Sequence, residues 1–213
     1  MSSLAIGVLC ATLLAGCAVD SWSQPHDAPT PVGTPAAGFI PSSAPSPEAT
    51  IRPAPGSWDG VRPSAGMRVV LLTAGDDAPT ATLATAVREW ADSEGVSLRE
   101  VDADGDLIGG IVKAMDLQPD LIVSAGNSLV DPLTTVTANH LDRQFLVVGA
   151  ELAEPTHNVT AVDWSGASFR GEGLGASSTY DPASFTPERS AAAVRAGVAA
   201  VLHGLTGIVV WID

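Results

Sequence analysis

The sequence predicts an α/β fold: one doubly wound, mainly parallel sheet in a flavodoxin- or Rossmann-like three-layer arrangement. Three observations predict it. Apolar runs at Arg68–Leu72, Leu121–Val123, Phe145–Gly149 and Ile208–Ile212 have the length and β-branching of strands buried on both faces. Amphipathic stretches of helical period separate most of these runs. Turn clusters such as Gly126-Asn127-Ser128 follow the runs, where loops leave the carboxyl ends of parallel strands. Residues 67–213 suffice for one such domain.

In chain order, Leu4 to Ala15 is apolar and too short to span a bilayer, but has the length of a signal-peptide core. It ends in Leu14-Ala15-Gly16-Cys17, with small residues before the cysteine. This resembles the lipobox of bacterial lipoproteins. That resemblance implies removal of residues 1–16 and a diacylglyceryl thioether on Cys17. Each buried acyl CH₂ contributes about 0.8 kcal/mol, so several chains anchor a domain firmly. The lipid bilayer would then be a partner, and the cell membrane's extracytoplasmic face the location.

Ten of the sixteen prolines fall in the next stretch, 18–66, with Ser, Ala and Thr filling most of the rest. Without apolar period, this composition predicts a disordered tether over 17–66. Its isolated apolar residues, Trp22, Phe39, Ile40 and Trp58, are expected to touch the domain.

Within the domain, Arg68–Leu72 is the first strand and Thr73–Asp77 its loop. Thr80–Ser93 is a helix with Leu83, Val87 and Trp90 inward, closed by Gly95. Val96–Val101 alternates like a strand with one wet face. Leu107–Leu117 is helical up to Pro119, and the Leu121 strand follows. Asp131-Pro132 opens a helix to Leu141. Phe145–Gly149 and Val159–Trp164 are strands; Ser165–Pro187 is a weakly patterned loop. Thr186 and Pro187 start the longest helix, Glu188–His203, with Val194, Val198 and Val201 on its apolar side. Ile208–Ile212 is the last strand, expected to pair inside the sheet.

A net charge of −14 disfavours nucleic-acid binding, because phosphates would be repelled. Both cysteines, Cys10 and Cys17, precede the domain, which therefore has no disulfide and no thiolate metal site. Asp102, Asp104 and Asp106 begin like a calcium loop, but the closing Glu is replaced by Lys113. Asp76-Asp77 sits where receiver domains hold Mg²⁺, yet the third strand ends in Ser124–Asn127 without a phosphorylatable Asp. The glycines of Gly171–Gly175 do not join a strand to a helix, so no dinucleotide fingerprint exists. No metal, cofactor or catalytic residue is assigned. Asp76, Asp77, Asn127 and Ser128 are the candidate ligand-binding residues, on loops at the carboxyl ends of the first and third domain strands.

The order Asp120-Leu-Ile-Val-Ser-Ala-Gly-Asn, the Asp131-Pro132 helix, Gln144-Phe-Leu-Val-Val-Gly and His157-Asn-Val-Thr-Ala-Val resembles the amino-terminal lobe of the basic membrane protein family. Those proteins are type I periplasmic-binding lipoproteins of ABC importers. The resemblance covers roughly residues 68–203. It implies a periplasmic-binding-protein lobe, a nucleoside-like ligand and an ABC permease as partner. Asp76 or Asp77 matches the family's acidic residue in the first loop, while nothing in Gly75–Thr80 matches its aromatic one. With sequence for a single lobe, the chain is expected not to work alone as a closing two-lobed importer subunit. The alternative function is an extracytoplasmic enzyme using Asp76, Asp77 and the Asn127 loop.

Cys17→Ala should release the protein from the membrane fraction on cell fractionation. Unchanged partitioning would refute the acylation of Cys17.

Overall fold

The computed structural model describes residues 20–213, so the signal segment and Cys17 lie outside the described residues. In chain order the described strands are β1 Pro31–Val32, β2 Thr50–Ile51, β3 Arg62–Pro63, β4 Arg68–Thr73, β5 Ser97–Asp102, β6 Leu121–Ala125, β7 Phe145–Val148, β8 Val159–Asp163 and β9 Ile208–Trp211. The helices are α1 Ala78–Glu94, α2 Leu107–Asp116, α3 Val130–Thr137 and α4 Pro187–Leu202.

Seven strands form one sheet in the order β2-β9-β8-β7-β6-β4-β5, every neighbouring pair parallel. The doubly wound α/β class expected from the apolar runs is the class observed. The strands from β6 to β9 are buried at every position, as a sheet covered on both faces requires. Alternation divides their side chains between two cores. Val69, Leu71, Val123, Leu146 and Val162 meet α1 and α4 on one face. Val70, Leu72, Ile122, Phe145 and Val147 meet α2 and α3 on the other.

Local signals set the helix ends. Asp77 caps α1 and Asp106 caps α2 with carboxylate bonds to backbone N–H groups. Gly95 closes α1 at φ +65°. Thr186 caps α4, and Pro187 takes the first helical position. The third helix departs from expectation. It starts at Val130, ahead of Asp131-Pro132, and ends at Thr137 rather than Leu141. Pro132 is tolerated because first-turn N–H groups have no helical partner. Asp131 does not cap the helix; its carboxylate accepts the Glu172 N–H at 3.2 Å, tying down the β8–α4 loop.

The largest departure concerns the expected disordered tether. From Asp20 onward this segment packs on the domain. Trp22, Phe39 and Trp58 are buried, whereas Ile40 is exposed. The Trp22 indole donates to Ser97 Oγ at 2.7 Å. The buried Arg68 guanidinium donates to the carbonyls of Ser21, Gln24 and Trp22 at 2.7, 2.8 and 3.1 Å. Phe39 and Trp58 meet edge to face, 6.5 Å apart, beside α4. Thr50–Ile51 adds the outermost strand, paired with β9. Isolated anchors of this kind leave no periodic trace. Prolines already restrict the unfolded chain, which lowers the entropy cost of ordering it. The last strand lies inside the sheet, as expected, between β8 and β2. Trp211 is buried, with the Arg52 guanidinium 4.8 Å from its ring centre.

Gly197 faces the sheet from mid-α4; a Cβ there would lie 2.6 Å from Leu146 Cδ1 and 2.7 Å from Val162 Cγ2. Gly197→Ala should therefore destabilise the fold by about 1–3 kcal/mol through overpacking, against about 1 kcal/mol gained in helix propensity. Urea denaturation reads the sign; a stabilised variant would show that α4 can move off the sheet.

Candidate functional site

The chain leaves β4 through α1 to β5, then returns through α2 to β6 on the other side of β4. The strand order reverses there, and open α/β sheets bind ligands in the crevice at the carboxyl ends of such strands. The loops meet closely. A Cβ on Gly75 would sit 3.7 Å from Ser128 Oγ, and one on Gly126 only 2.3 Å from Thr80 Oγ1. Gly126, at φ +91°, is the residue that lets the β6 loop ride over the start of α1.

The four expected site residues converge on this crevice with unequal roles. Asp77 is occupied: it accepts the Thr80 N–H at 3.0 Å and the Thr80 hydroxyl at 2.7 Å. Asp76 is exposed and accepts no hydrogen bond among the described residues. Asn127 is half-buried, and its buried Oδ1 has no partner. Ser128 is exposed at the rim. The neighbouring acidic run serves the backbone. Asp102 accepts the Asp104 N–H, Asp104 accepts the Gly75 N–H, and Asp106 caps α2.

The loop between β8 and α4 supplies a wall that sequence reading missed. Trp164 and Phe185 pack edge to face at 5.0 Å, and Tyr180 lies 5.9 Å from Phe185. Partial burial raises the Tyr180 phenol above its ordinary range, and the Asp77 charge adds to this. Tyr180 thus brings a 44% exposed ring to the Asp77 side of the crevice.

A second polar group, also missed, lies past the ends of β7 and β8. Glu151 and Asp163 are both buried. Asp163 Oδ1 accepts the N–H groups of Trp164 and Ser168, each at 2.8 Å, while Oδ2 has no donor. Glu151 accepts the Ser177 hydroxyl at 2.8 Å and lies 3.3 Å from Arg170 Nε. Burial pushes the Asp163 carboxyl up to about 7 against the pull of its backbone donors, with the neighbouring Glu151 carboxylate raising it further. An Asp closing a strand buried at every position was the available signal.

Two cavities lie outside the crevice. One of about 350 Å³ is an open groove beside α1 lined by Ala81, Thr85, Ala86, Glu89 and Pro187. A polar cavity of about 170 Å³ lies over Val209, between Glu48, Glu151, Arg170 and Ser177. Among the described residues no cluster of three or more acidic, His or Cys side chains could hold a metal, and no helix is long and apolar enough to cross a membrane.

No family model and no curated protein matches the chain. Solved structures share partial likeness with it. An ABC transporter solute-binding protein from Aeropyrum pernix aligns at 19% identity and TM-score 0.40, over 47% of this chain and 29% of that one. One from Conexibacter woesei aligns at 20% identity and TM-score 0.39, over 47% and 36%. A fragment of a presumed lipoprotein from Peptoclostridium difficile aligns at 15% identity and TM-score 0.46, over 66% of this chain and 99% of that one. The chain thus spans about a third of each solute-binding protein's length. The fold class stands on the strand order itself.

The Asp163 pKa has a consequence for stability. The unfolded carboxyl ionises near pH 4, whereas the folded one keeps its proton to about pH 7. Stability should therefore fall as pH rises from about 4 to about 7 and level off above. Asp163→Asn keeps the acceptor and turns Nδ2 toward Glu151. It should remove that slope and raise stability at pH 8 by an amount on the order of a few kcal/mol. Melting curves across pH test this; an unchanged slope would mean that Asp163 is ionised in the fold.

Proposed function

We propose that the chain is a membrane-anchored extracytoplasmic lipoprotein whose α/β lobe binds a small molecule in the crevice between β4 and β6. The observation that carries this reading is the buried, partnerless Oδ1 of Asn127 at the point where the strand order reverses. A buried acceptor left without a donor costs about 1–3 kcal/mol, which a ligand N–H or O–H would recover. Asp76 adds a free carboxylate beside it. Tyr180 offers the aromatic surface that the first loop lacks, which favours a ligand with a flat ring and hydrogen-bonding hydroxyls, such as a nucleoside. The family resemblance supports the same class and makes an ABC permease the natural partner.

The enzyme reading is weaker on one observation. Asp77 spends its carboxylate on capping α1, leaving an exposed Asp76 and an amide. Neither is paired with a base or a nucleophile.

The soluble Cys17→Ala chain should show a ligand-dependent rise in melting temperature in a screen of nucleosides, sugars and amino acids, without turnover. Asn127→Ala should weaken the hit about fivefold or more, corresponding to about 1 kcal/mol for one buried hydrogen bond. Unchanged affinity in both Asn127→Ala and Asp76→Ala would place the site elsewhere.

A further inference from the structure

We infer that the acylated protein stands on the bilayer by the amino-terminal edge of its sheet, with the carboxyl edge and its crevice turned away from the lipid. This rests on acylation of Cys17. Two independent observations carry it.

The first is where the described chain begins. Arg68 and Ser97 open β4 and β5, and Asp120 immediately precedes β6, so all three mark the amino edge. Each holds residues of the first described stretch, Ser21 to His26. Arg68 grips the carbonyls of Ser21, Trp22 and Gln24. Ser97 takes the Trp22 indole. Asp120 meets His26 Nε2 at 2.9 Å and also accepts the Arg68 N–H at 2.8 Å. Arg99 stacks 4.4 Å from the Trp22 ring centre and pairs with Asp20. Three peptide units separate Cys17 from Asp20, a reach of about 11 Å at most. A free tether from Cys17 to Gly66 would instead span roughly 40 Å and orient nothing. The carboxyl edge lies about 20 Å beyond the amino edge, the length of a six-residue strand such as β4.

The second is charge. The loops at the carboxyl edge carry Asp76, Asp77, Asp104, Asp106, Glu154 and Glu172, against Arg170 and Arg52, the latter stacked on Trp211. The amino edge mixes Arg68, Arg143 and all four histidines, His26, His140, His157 and His203, with the carboxylates of Glu48, Glu94, Asp116, Asp120 and Asp142. A negatively charged leaflet repels the acidic edge and tolerates the mixed one. The half-exposed Leu141, on the same amino edge, meets an interface at little cost.

The test uses the full chain purified with its acyl groups and placed in vesicles of phosphatidylcholine and phosphatidylglycerol carrying a headgroup nitroxide. The mature chain has no other cysteine, so a fluorophore on Ala138→Cys or Glu172→Cys reports one edge each. Ala138 sits at the amino edge and Glu172 in the loop between β8 and α4. Quenching at position 138 should exceed that at 172 several-fold. Adding Trp22→Ala and Arg68→Ala, which cut the clamp, should bring the two together. Equal quenching in the unaltered clamp, or the reverse order, overturns the orientation while leaving the anchor intact. If mass spectrometry finds no acyl groups on Cys17, the anchor itself fails, and the orientation falls with it.

Discussion

Strands β6 to β9 present apolar side chains on both faces, so none of them can leave either face to water. Most of the remaining structure answers that constraint. Helices α1 and α4 cover one face, and α2 and α3 cover part of the other. No helix joins β7 to β8. There Ala150 and Leu152 of the connecting loop fold back over the second core. The amino-terminal segment completes the cover: Trp22 joins the second core, Phe39 and Trp58 join the first, and β2 pairs with the outer side of β9. A parallel sheet with one edge open would template pairing with other chains, so a two-residue strand from a proline-rich segment is an economical cap.

The same constraint sorts the polar chemistry. Polar groups accumulate at the carboxyl edge, where the strands end and loops begin. At the β4–β6 crevice they are spent mostly on the backbone, with Asp77, Asp104 and Asp106 each holding an N–H group. Asn127 is the exception. Beyond β7 and β8, where loops replace a helix, Glu151 and Asp163 are buried with only Ser177, Arg170 and two backbone donors beside them. Two carboxyls in so little solvent cannot both carry full charge at low cost, and one keeps its proton toward neutrality. The amino edge has the opposite character. Asn158 there donates its buried amide to the carbonyls of Thr137, His140 and Arg143, locking the α3–β7 connection, so the Asn158-Val159-Thr160 triplet, which has the form of a glycosylation sequon, is not open to a glycan.

Most of the fold was legible in the sequence. Run length, β-branching and helical period are local properties, and the domain strands fell within a residue or two of their expected limits. So did the caps at Thr186 and Gly95, because capping uses residues within one turn. The two crevice loops were legible as well, since a parallel strand determines where its loop must emerge. Which atoms in those loops are free was not. Asp77 and Asp76 are adjacent and chemically identical, and only the position of Thr80 decides that one is occupied.

What the sequence by itself determined is therefore the class of the sheet, the order of its elements and the edge on which ligand-facing loops lie, because these follow from periodicity and chain direction. Tertiary structure alone decided the rest. Contact of Trp22, Phe39 and Trp58 with the domain was expected from their apolar character, but where they bury, and that Ile40 does not, depends on surfaces tens of residues away, at Ser97, Arg68 and α4. Glu151 and Asp163 become a pair, and Tyr180 becomes a neighbour of Asp77, only once the loop from Ser165 to Thr186 folds back across the sheet. Such contacts join residues far apart in sequence, and the energy that selects them is the burial of a surface that does not exist until the sheet has formed.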